Sequence, residues 1–149
     1  MHQFAAAGGS FLLAVLWFDL MFDVQTRNHA DATLPPAVLT SIASYYRRVT
    51  TDARPMNRLI ALVMILTLAA LIGEIVEARN PAWLEWTSLL CAAGAIDLAA
   101  GRMVANAVAL GGGKGTLVAQ SRLARTIYRD HLICFTSMIV LTGLQLAAR

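Results

Sequence analysis

Four long apolar runs limit this chain more than any other feature of its sequence. They lie at about 4–24, 56–77, 83–110 and 126–148. Each is close to the roughly 20 residues that a helix needs to cross the hydrocarbon core of a bilayer. With 58% hydrophobic and 14% charged residues among 149, little chain is left for a separate soluble domain. We predict a single all-α transmembrane domain, residues 1–149, folded as an integral membrane four-helix bundle.

The connection between the first two spans has a helical pattern of its own. After Pro35 and Pro36, apolar residues recur at helical spacing from Val38 to Val49, while Ser and Arg side chains occupy the other face. This pattern predicts an amphipathic interfacial helix at about 36–50 that lies on the membrane surface. Such a helix either positions the bundle or serves as a lid or docking element.

Lys and Arg are distributed unequally between the two sides of the predicted bundle. The long connections carry Arg27, Arg47, Arg48, Arg54, Lys114, Arg122 and Arg125, whereas the other side has Arg79 and Arg149. By the positive-inside rule, the long connections face the cytoplasm and both termini lie outside it. Topology thus accounts for the net charge of +3, and no nucleic-acid partner is expected. We expect a bacterial inner-membrane protein that contacts the lipid bilayer, as a homo-oligomer or within a larger membrane complex.

Most polar residues of the spans gather toward the predicted cytoplasmic side. A charged group within a span is costly and usually faces the bundle interior or an aqueous cavity, so each one is a candidate functional residue. The members of this polar cluster are Asp19, Asp23, Asn57, Arg58, Asp97, Arg102, Asn106, Arg129, Asp130 and His131. Toward the other side only Glu74, Glu77 and Glu85 appear, and we expect these three to reach water near the span ends.

The polar cluster is compatible with a catalytic site or with a metal site. As a catalytic site it uses Asp97, His131, Arg102 and Asn106, with a carboxylate or the imidazole as the base. As a metal site it uses Asp19, Asp23 and His131, because carboxylates and imidazole bind hard or borderline cations. The sequence does not identify the metal ion or any other cofactor.

An ion-pair arrangement and a proton or ion path are the other interpretations of the same residues. In the ion-pair arrangement, Arg58 neutralises Asp19 and Arg102 neutralises Asp97 within the bundle. The remaining charges with a structural role are Arg125, Arg129 and Asp130.

The layout of the chain resembles a known family. The third span ends in Arg102-Met103-Val104-Ala105-Asn106, and the fourth opens with Arg125 after a short glycine-rich turn. In this respect the chain resembles the small four-helix membrane proteins that include fungal anthrone oxygenases, although Ala or Val replaces the Pro of that family's Val-Pro-x-Asn-like segment. The resemblance implies a membrane oxygenase or oxidoreductase acting on a hydrophobic substrate, such as an aromatic one. Arg102, Asn106 and Arg125 are the matching positions.

Small residues are frequent in the third span, among them Gly94, Ala95 and Gly101. They allow close helix contacts, which suits a central helix of the bundle and equally a surface packed against a larger complex. The small residues therefore do not separate the functional hypotheses. The polar cluster and the family resemblance favour a small membrane oxidoreductase or oxygenase-like protein with a lipophilic substrate. The alternatives are a non-catalytic accessory or assembly subunit and, third, a small transporter.

Overall fold

A computed structural model describes residues 1–148, apart from the side chain of Arg54. Four helices in it are long and apolar enough to cross a membrane, at His2–Thr26, Pro55–Glu77, Ala82–Gly111 and Leu117–Ala147. The predicted all-α fold with four spans is thus confirmed. Arg149 and the Arg54 side chain, which entered the charge distribution, lie outside the described residues.

The elements follow the chain in a simple order. The helices are α1 (His2–Asp23), α2 (Pro36–Arg47), α3 (Arg54–Glu77), α4 (Ala82–Leu98), α5 (Val104–Gly111) and α6 (Leu117–Ala147). α1 continues into a 3-10 turn at Val24–Thr26. α2 continues into a π-helical turn at Arg48–Asp52, and a second π-helical turn at Ala99–Met103 joins α4 to α5. The third span therefore consists of α4, the second π-helical turn and α5.

The four spanning helices form an up-down-up-down bundle. α1 packs against α3 and α6, and α4 packs against the same two helices. The core between them is apolar, and its fully buried residues include Leu12, Leu71, Ala92, Met138 and Leu141. We call the end that carries the α1–α3 and α5–α6 connections the loop end. The opposite end, where α3 turns into α4, is the turn end.

α2 is the amphipathic helix that the sequence predicts, but its apolar face is buried against protein. A second core joins it to α5 and α6, and its members are Leu34, Leu39, Ile42, Tyr46, Ala107, Leu110, Ala124 and Ile127. Gly111 permits this packing, because an added Cβ there would lie 2.6 Å from the backbone nitrogen of Arg47. α2 therefore closes the loop end of the bundle, and most of its apolar side chains contact protein instead of lipid.

Candidate functional site

His131 and Asp23 form the centre of a buried polar network at the loop end. The imidazole Nδ1 of His131 lies 2.6 Å from Oδ2 of Asp23, and both side chains are almost inaccessible. The hydroxyl of Tyr46 donates to the other carboxylate oxygen, Oδ1, at 2.7 Å. Because a carboxylate only accepts hydrogen bonds, His131 carries its proton on Nδ1 in this arrangement. Asp23 thereby fixes the tautomer and the orientation of the imidazole.

The other imidazole nitrogen faces a second carboxylate. Nε2 of His131 is 3.6 Å from Oδ2 of Asp19, which is beyond hydrogen-bond distance. Asp19 accepts a hydrogen bond of 2.6 Å from the hydroxyl of Tyr45 and is the more accessible of the two carboxylates, with 16% of its side chain exposed. Nδ1 is therefore hydrogen-bonded and Nε2 is not, within an imidazole that is only 4% exposed.

Local sequence explains how these groups meet. Asp19 and Asp23 are one helical turn apart, so both carboxylates lie on the face of α1 that looks toward α2 and α6. Tyr45 and Tyr46 are adjacent on α2, and their side chains diverge so that each hydroxyl reaches one carboxylate. The ring of Tyr45 also stacks on Phe22 with a centroid distance of 4.0 Å. α2 is thus attached to the bundle by these two hydrogen bonds and by one from Gln25 to Ser41, as well as by its apolar face.

Both tyrosines act as hydrogen-bond donors. Burial, followed by the negative charge of Asp19, raises the pKa of Tyr45 above its usual value. Burial, followed by the negative charge of Asp23, raises the pKa of Tyr46 in the same direction. Neither hydroxyl ionises near neutral pH, so both keep the proton that they donate to the carboxylates.

A second polar contact lies on another side of α6. Asp130 is fully buried, and Arg102 approaches it with two parallel hydrogen bonds, Nε to Oδ2 at 3.0 Å and Nη2 to Oδ1 at 2.6 Å. Arg129 lies 3.9 Å from the same carboxylate. The second π-helical turn contains Arg102, and the ion pair links that turn to α6. Arg102 therefore neutralises Asp130, not Asp97 as one interpretation of the sequence proposed.

The other residues put forward from the sequence do not join the His131 network. Asp97 is exposed, Asn106 is half-buried, and neither has a side-chain hydrogen bond among the described residues. Arg58 is exposed and makes no ion pair with Asp19, whose partners are Tyr45 and His131. The helical geometry explains the separation of Asp97 from Arg102, because five residues correspond to about 500°, or about 140° after one full turn.

Arg125 supports the long connection between α1 and α2. Its guanidinium donates to the backbone carbonyls of His29, Asp31 and Ala32. Arg125 also lines an open cleft of about 430 Å³ whose other lining residues are Ala32, Val118, Arg122, Thr126 and Arg129. Three arginines thus border one cleft at the loop end, where an anionic group meets favourable charge.

The turn end contains a polar cluster that the sequence did not predict. Glu74 and Glu85 are only 3% and 4% exposed, so the expectation that they reach water is wrong. The amide of Gln145 donates to Glu74 at 3.0 Å and to Ser88 at 3.2 Å, and Glu85 accepts a hydrogen bond from the backbone of Asn80. The contacts of Glu74 and Gln145 leave one oxygen on each side chain, Oε1 in both cases, buried without a hydrogen-bond partner among the described residues. Glu77 is less buried and forms an ion pair with Arg79.

The three residues proposed as metal ligands do come together, but they bind one another. Nδ1 of His131 and both oxygens of Asp23 are occupied by the contacts within the network. Within residues 1–148 no group of three or more His, Cys, Asp or Glu side chains has an arrangement that could hold a metal ion. The geometry is instead that of an oriented imidazole between two carboxylates.

Scans of the chain against models of known protein families, curated proteins and solved structures gave no match. The chemistry of the site is therefore argued from its own geometry. An imidazole that donates from Nδ1 to a buried carboxylate is suited to accept a proton at Nε2. The His131 side chain is itself only 4% exposed, and Asp19 is the partly exposed group beside Nε2.

Proposed function

We propose that this chain is a small integral membrane enzyme in which His131 acts as a general base toward a lipophilic substrate. The hydrogen bond of 2.6 Å between Nδ1 of His131 and Asp23 carries the proposal, because it leaves Nε2 as the nitrogen that accepts a proton. Asp23 is the orienting group, and Tyr46 holds Asp23 in place. Asp19 borders the side from which a substrate approaches Nε2.

An oxygenase-like reaction is the form of this chemistry that the family resemblance favours. Removal of a proton from a methylene group activated by aromatic rings gives an electron-rich carbanion, and O₂ is the oxidant. The methylene group becomes a carbonyl, with one oxygen atom of O₂ entering the product and the other leaving as water. In this reaction His131 receives the first proton and returns it to the outer oxygen of the peroxide formed from the carbanion and O₂. Loss of the second C–H proton, as the O–O bond breaks, gives the carbonyl, and that proton joins the departing hydroxide as water.

The loop end is proposed to face the cytoplasm of a bacterial cell. The distribution of Lys and Arg supports this orientation, since Arg27, Arg47, Arg48 and the cleft arginines all lie at that end. The His131 network then lies at the inner-leaflet side of the bundle, where a lipophilic substrate dissolved in the membrane is available, with Asp19 as its partly exposed member. A reporter fused to the C-terminus is expected to be active only outside the cytoplasm, and cytoplasmic activity would contradict the orientation.

The experiment that tests the enzyme proposal uses the purified chain in mild detergent with anthrone as the probe. We expect anthrone-dependent O₂ consumption that His131→Ala and Asp23→Asn reduce by at least about 100-fold, the usual size of a general-base contribution. Arg58→Gln is the matched control, because Arg58 is exposed and has no ion pair among the described residues. Equal rates of O₂ consumption in wild type and His131→Ala would refute the role of His131 as the general base.

A readout independent of the substrate accompanies that assay. Nitrogen-15 NMR of labelled histidine is expected to show His131 with its proton on Nδ1, and a strongly deshielded proton shared with Asp23. Asp23→Asn is expected to remove the deshielded signal. An Nε2-protonated imidazole in the wild type would contradict the proposed role of Nε2, whatever the substrate.

The second candidate function is an accessory or assembly subunit of a larger membrane complex. One observation favours it: Asp97 lies exposed in the middle of the third span without a partner among the described residues. Native electrophoresis of gently solubilised membranes tests this function, and migration far above 16.0 kDa plus bound detergent is the expected result for a subunit. Migration as a single small particle would contradict it.

A further inference from the structure

Asp97 occupies an unusual position in the bundle. It lies in the middle of the span Ala82–Gly111, and its side chain is exposed on the outer surface of α4. No hydrogen bond or ion pair of Asp97 occurs within residues 1–148, and the guanidinium nearest in sequence, Arg102, is bound to Asp130. In a membrane this surface meets lipid, where an isolated carboxylate is very unfavourable.

The surface around Asp97 has the pattern of a helix-packing face. Residues spaced alternately by four and three along the third span are all exposed, and we call them the Asp97 face: Leu90, Gly94, Asp97, Gly101, Val104 and Val108. Between Leu90 and Asp97 this spacing keeps one side of α4 toward a partner helix. Gly101, in the second π-helical turn, and Val104 and Val108, on α5, belong to the face by their exposure. The buried residues Ala95 and Ala99 lie about 200° from Asp97 at 100° per residue, so the face points away from the bundle core.

Two glycines beside Asp97 leave space for a partner. A Cβ added at Gly94 or at Gly101 would meet no atom within 4 Å. These glycines therefore serve no close contact inside the bundle. On the outer surface they let a second backbone approach Asp97 closely, as small residues do between transmembrane helices.

We propose that the Asp97 face binds a transmembrane helix of a different protein that carries an Arg or Lys at mid-depth. Charge complementarity selects this occupant, because a basic side chain of the partner neutralises Asp97 where water cannot. The interface lies on the third span, along α4, the second π-helical turn and α5, whereas the His131 network lies between α1, α2 and α6. The inference does not depend on the enzyme proposal.

A second copy of this chain is the less favourable occupant. Copies inserted with the same orientation would place Asp97 opposite Asp97 across a twofold axis, which brings like charges together. Arg102 does not relieve this repulsion, since it lies five residues further along, about 7.5 Å at 1.5 Å per residue, on a different side of the helix. It is also engaged by Asp130.

Synthetic helices reconstituted with the purified chain test the proposal. The full chain, with a donor fluorophore on a C-terminal tag, is placed in phosphatidylcholine vesicles with acceptor-labelled Leu/Ala helices of about 21 residues. The helices differ only in their central residue, Arg, Gln or Glu, and a central position pairs with Asp97 in either orientation of the peptide. We expect energy transfer to the Arg helix to appear at a peptide density at least about tenfold lower than the density that the Gln helix needs.

Variants of the face separate the proposal from its alternatives. Asp97→Asn is expected to abolish the preference for the Arg helix. Gly94→Leu and Gly101→Leu are expected to block association with either helix, because the leucine side chain fills the space beside Asp97. Gly143→Leu is the matched control, because a Cβ at Gly143 on α6 also meets no atom within 4 Å. Equal binding of the Arg and Gln helices, or an unchanged preference in Asp97→Asn, would overturn the proposal.

Self-association is measured in the same vesicles with donor- and acceptor-labelled copies of the chain. Self-association that persists in Asp97→Asn and disappears in Gly94→Leu would identify a second copy as the occupant and would also overturn the proposal. Circular dichroism melts of every variant, compared with Gly143→Leu, are expected to coincide because the Asp97 face makes no contact with the bundle core.

Discussion

The hydrogen bond from Tyr46 to Asp23 gives the sharpest test of the loop-end network. Tyr46→Phe removes only the hydroxyl and keeps the ring, so no cavity forms in the second core. Tyr46 is 2% exposed and Asp23 is fully buried, and the lost bond therefore leaves a carboxylate oxygen without a donor. Hydrogen bonds to charged groups contribute about 1.5–3 kcal/mol, and we expect the free energy of unfolding to fall by that amount.

The assay is titration of the protein in mild detergent micelles with sodium dodecyl sulfate, followed by circular dichroism of the helices. Tyr128→Phe is the matched control, because Tyr128 is half-buried on α6 and its hydroxyl has no hydrogen bond among the described residues. For Tyr45→Phe we expect a loss of unfolding free energy between those of Tyr46→Phe and Tyr128→Phe, because its partner Asp19 is partly accessible and water replaces the lost donor. A loss in Tyr46→Phe no larger than in Tyr128→Phe would refute the reasoning.

Three further predictions concern the loop end and its junctions. Arg102→Gln is expected to lower the free energy of unfolding by about 1–3 kcal/mol in the same titration, because it leaves the buried Asp130 without its bidentate partner. Arg102→Lys keeps the charge but not the bidentate geometry, so its loss is expected to be smaller. Gly111→Ala is expected to destabilise the protein and to loosen α2, seen as faster amide exchange in that helix, because the added Cβ collides with the backbone at the end of α2. The pKa values of Tyr45 and Tyr46 are raised in the folded state, so their contribution to stability is complete below about pH 10 and is lost as the pH rises further. Folded wild type and the Tyr45→Phe/Tyr46→Phe variant are therefore expected to have equal tyrosinate absorbance at pH 11, and a larger signal in the wild type would contradict the burial of these hydroxyls.

The spans were predictable because bilayer thickness fixes the length of an apolar helix. The first three predicted runs fall within helices of the structure. The fourth, predicted at about 126–148, belongs to a helix that begins much earlier, at Leu117, and ends at Ala147. The residues from Leu117 onward are amphipathic because this first part of α6 packs on α2 and the α1–α2 connection, where Ser121, Ala124 and Ile127 are buried. Hydropathy alone does not distinguish such a stretch from a surface helix.

The partners of the polar residues were less predictable because they depend on which helices are neighbours. Asp19, Asp23 and His131 do lie together as the sequence suggested, because the end of α1 and the part of α6 that contains His131 are at the same depth. The tyrosines of α2 were missed as partners, although two adjacent tyrosines on the apolar face of a helix that follows an acidic helix end are a usable signal. The depth of a residue along a span does not show how the helix is rotated about its own axis. In the structure this rotation turns Asp97 outward and brings Arg102 to Asp130.

The consecutive pair Asp130–His131 shows how α6 keeps two polar contacts apart. Adjacent residues of a helix point about 100° apart, so Asp130 faces the third span while His131 faces α1 and α2. The third span contacts α6 through the Arg102–Asp130 ion pair and through a hydrogen bond from Sγ of Cys134 to the carbonyl oxygen of Ala95, and neither contact is made by the imidazole of His131. For this reason the Asp97 face and the His131 network are separable in experiment. Binding of a partner helix and proton abstraction are compatible within one chain, and evidence for either does not count against the other.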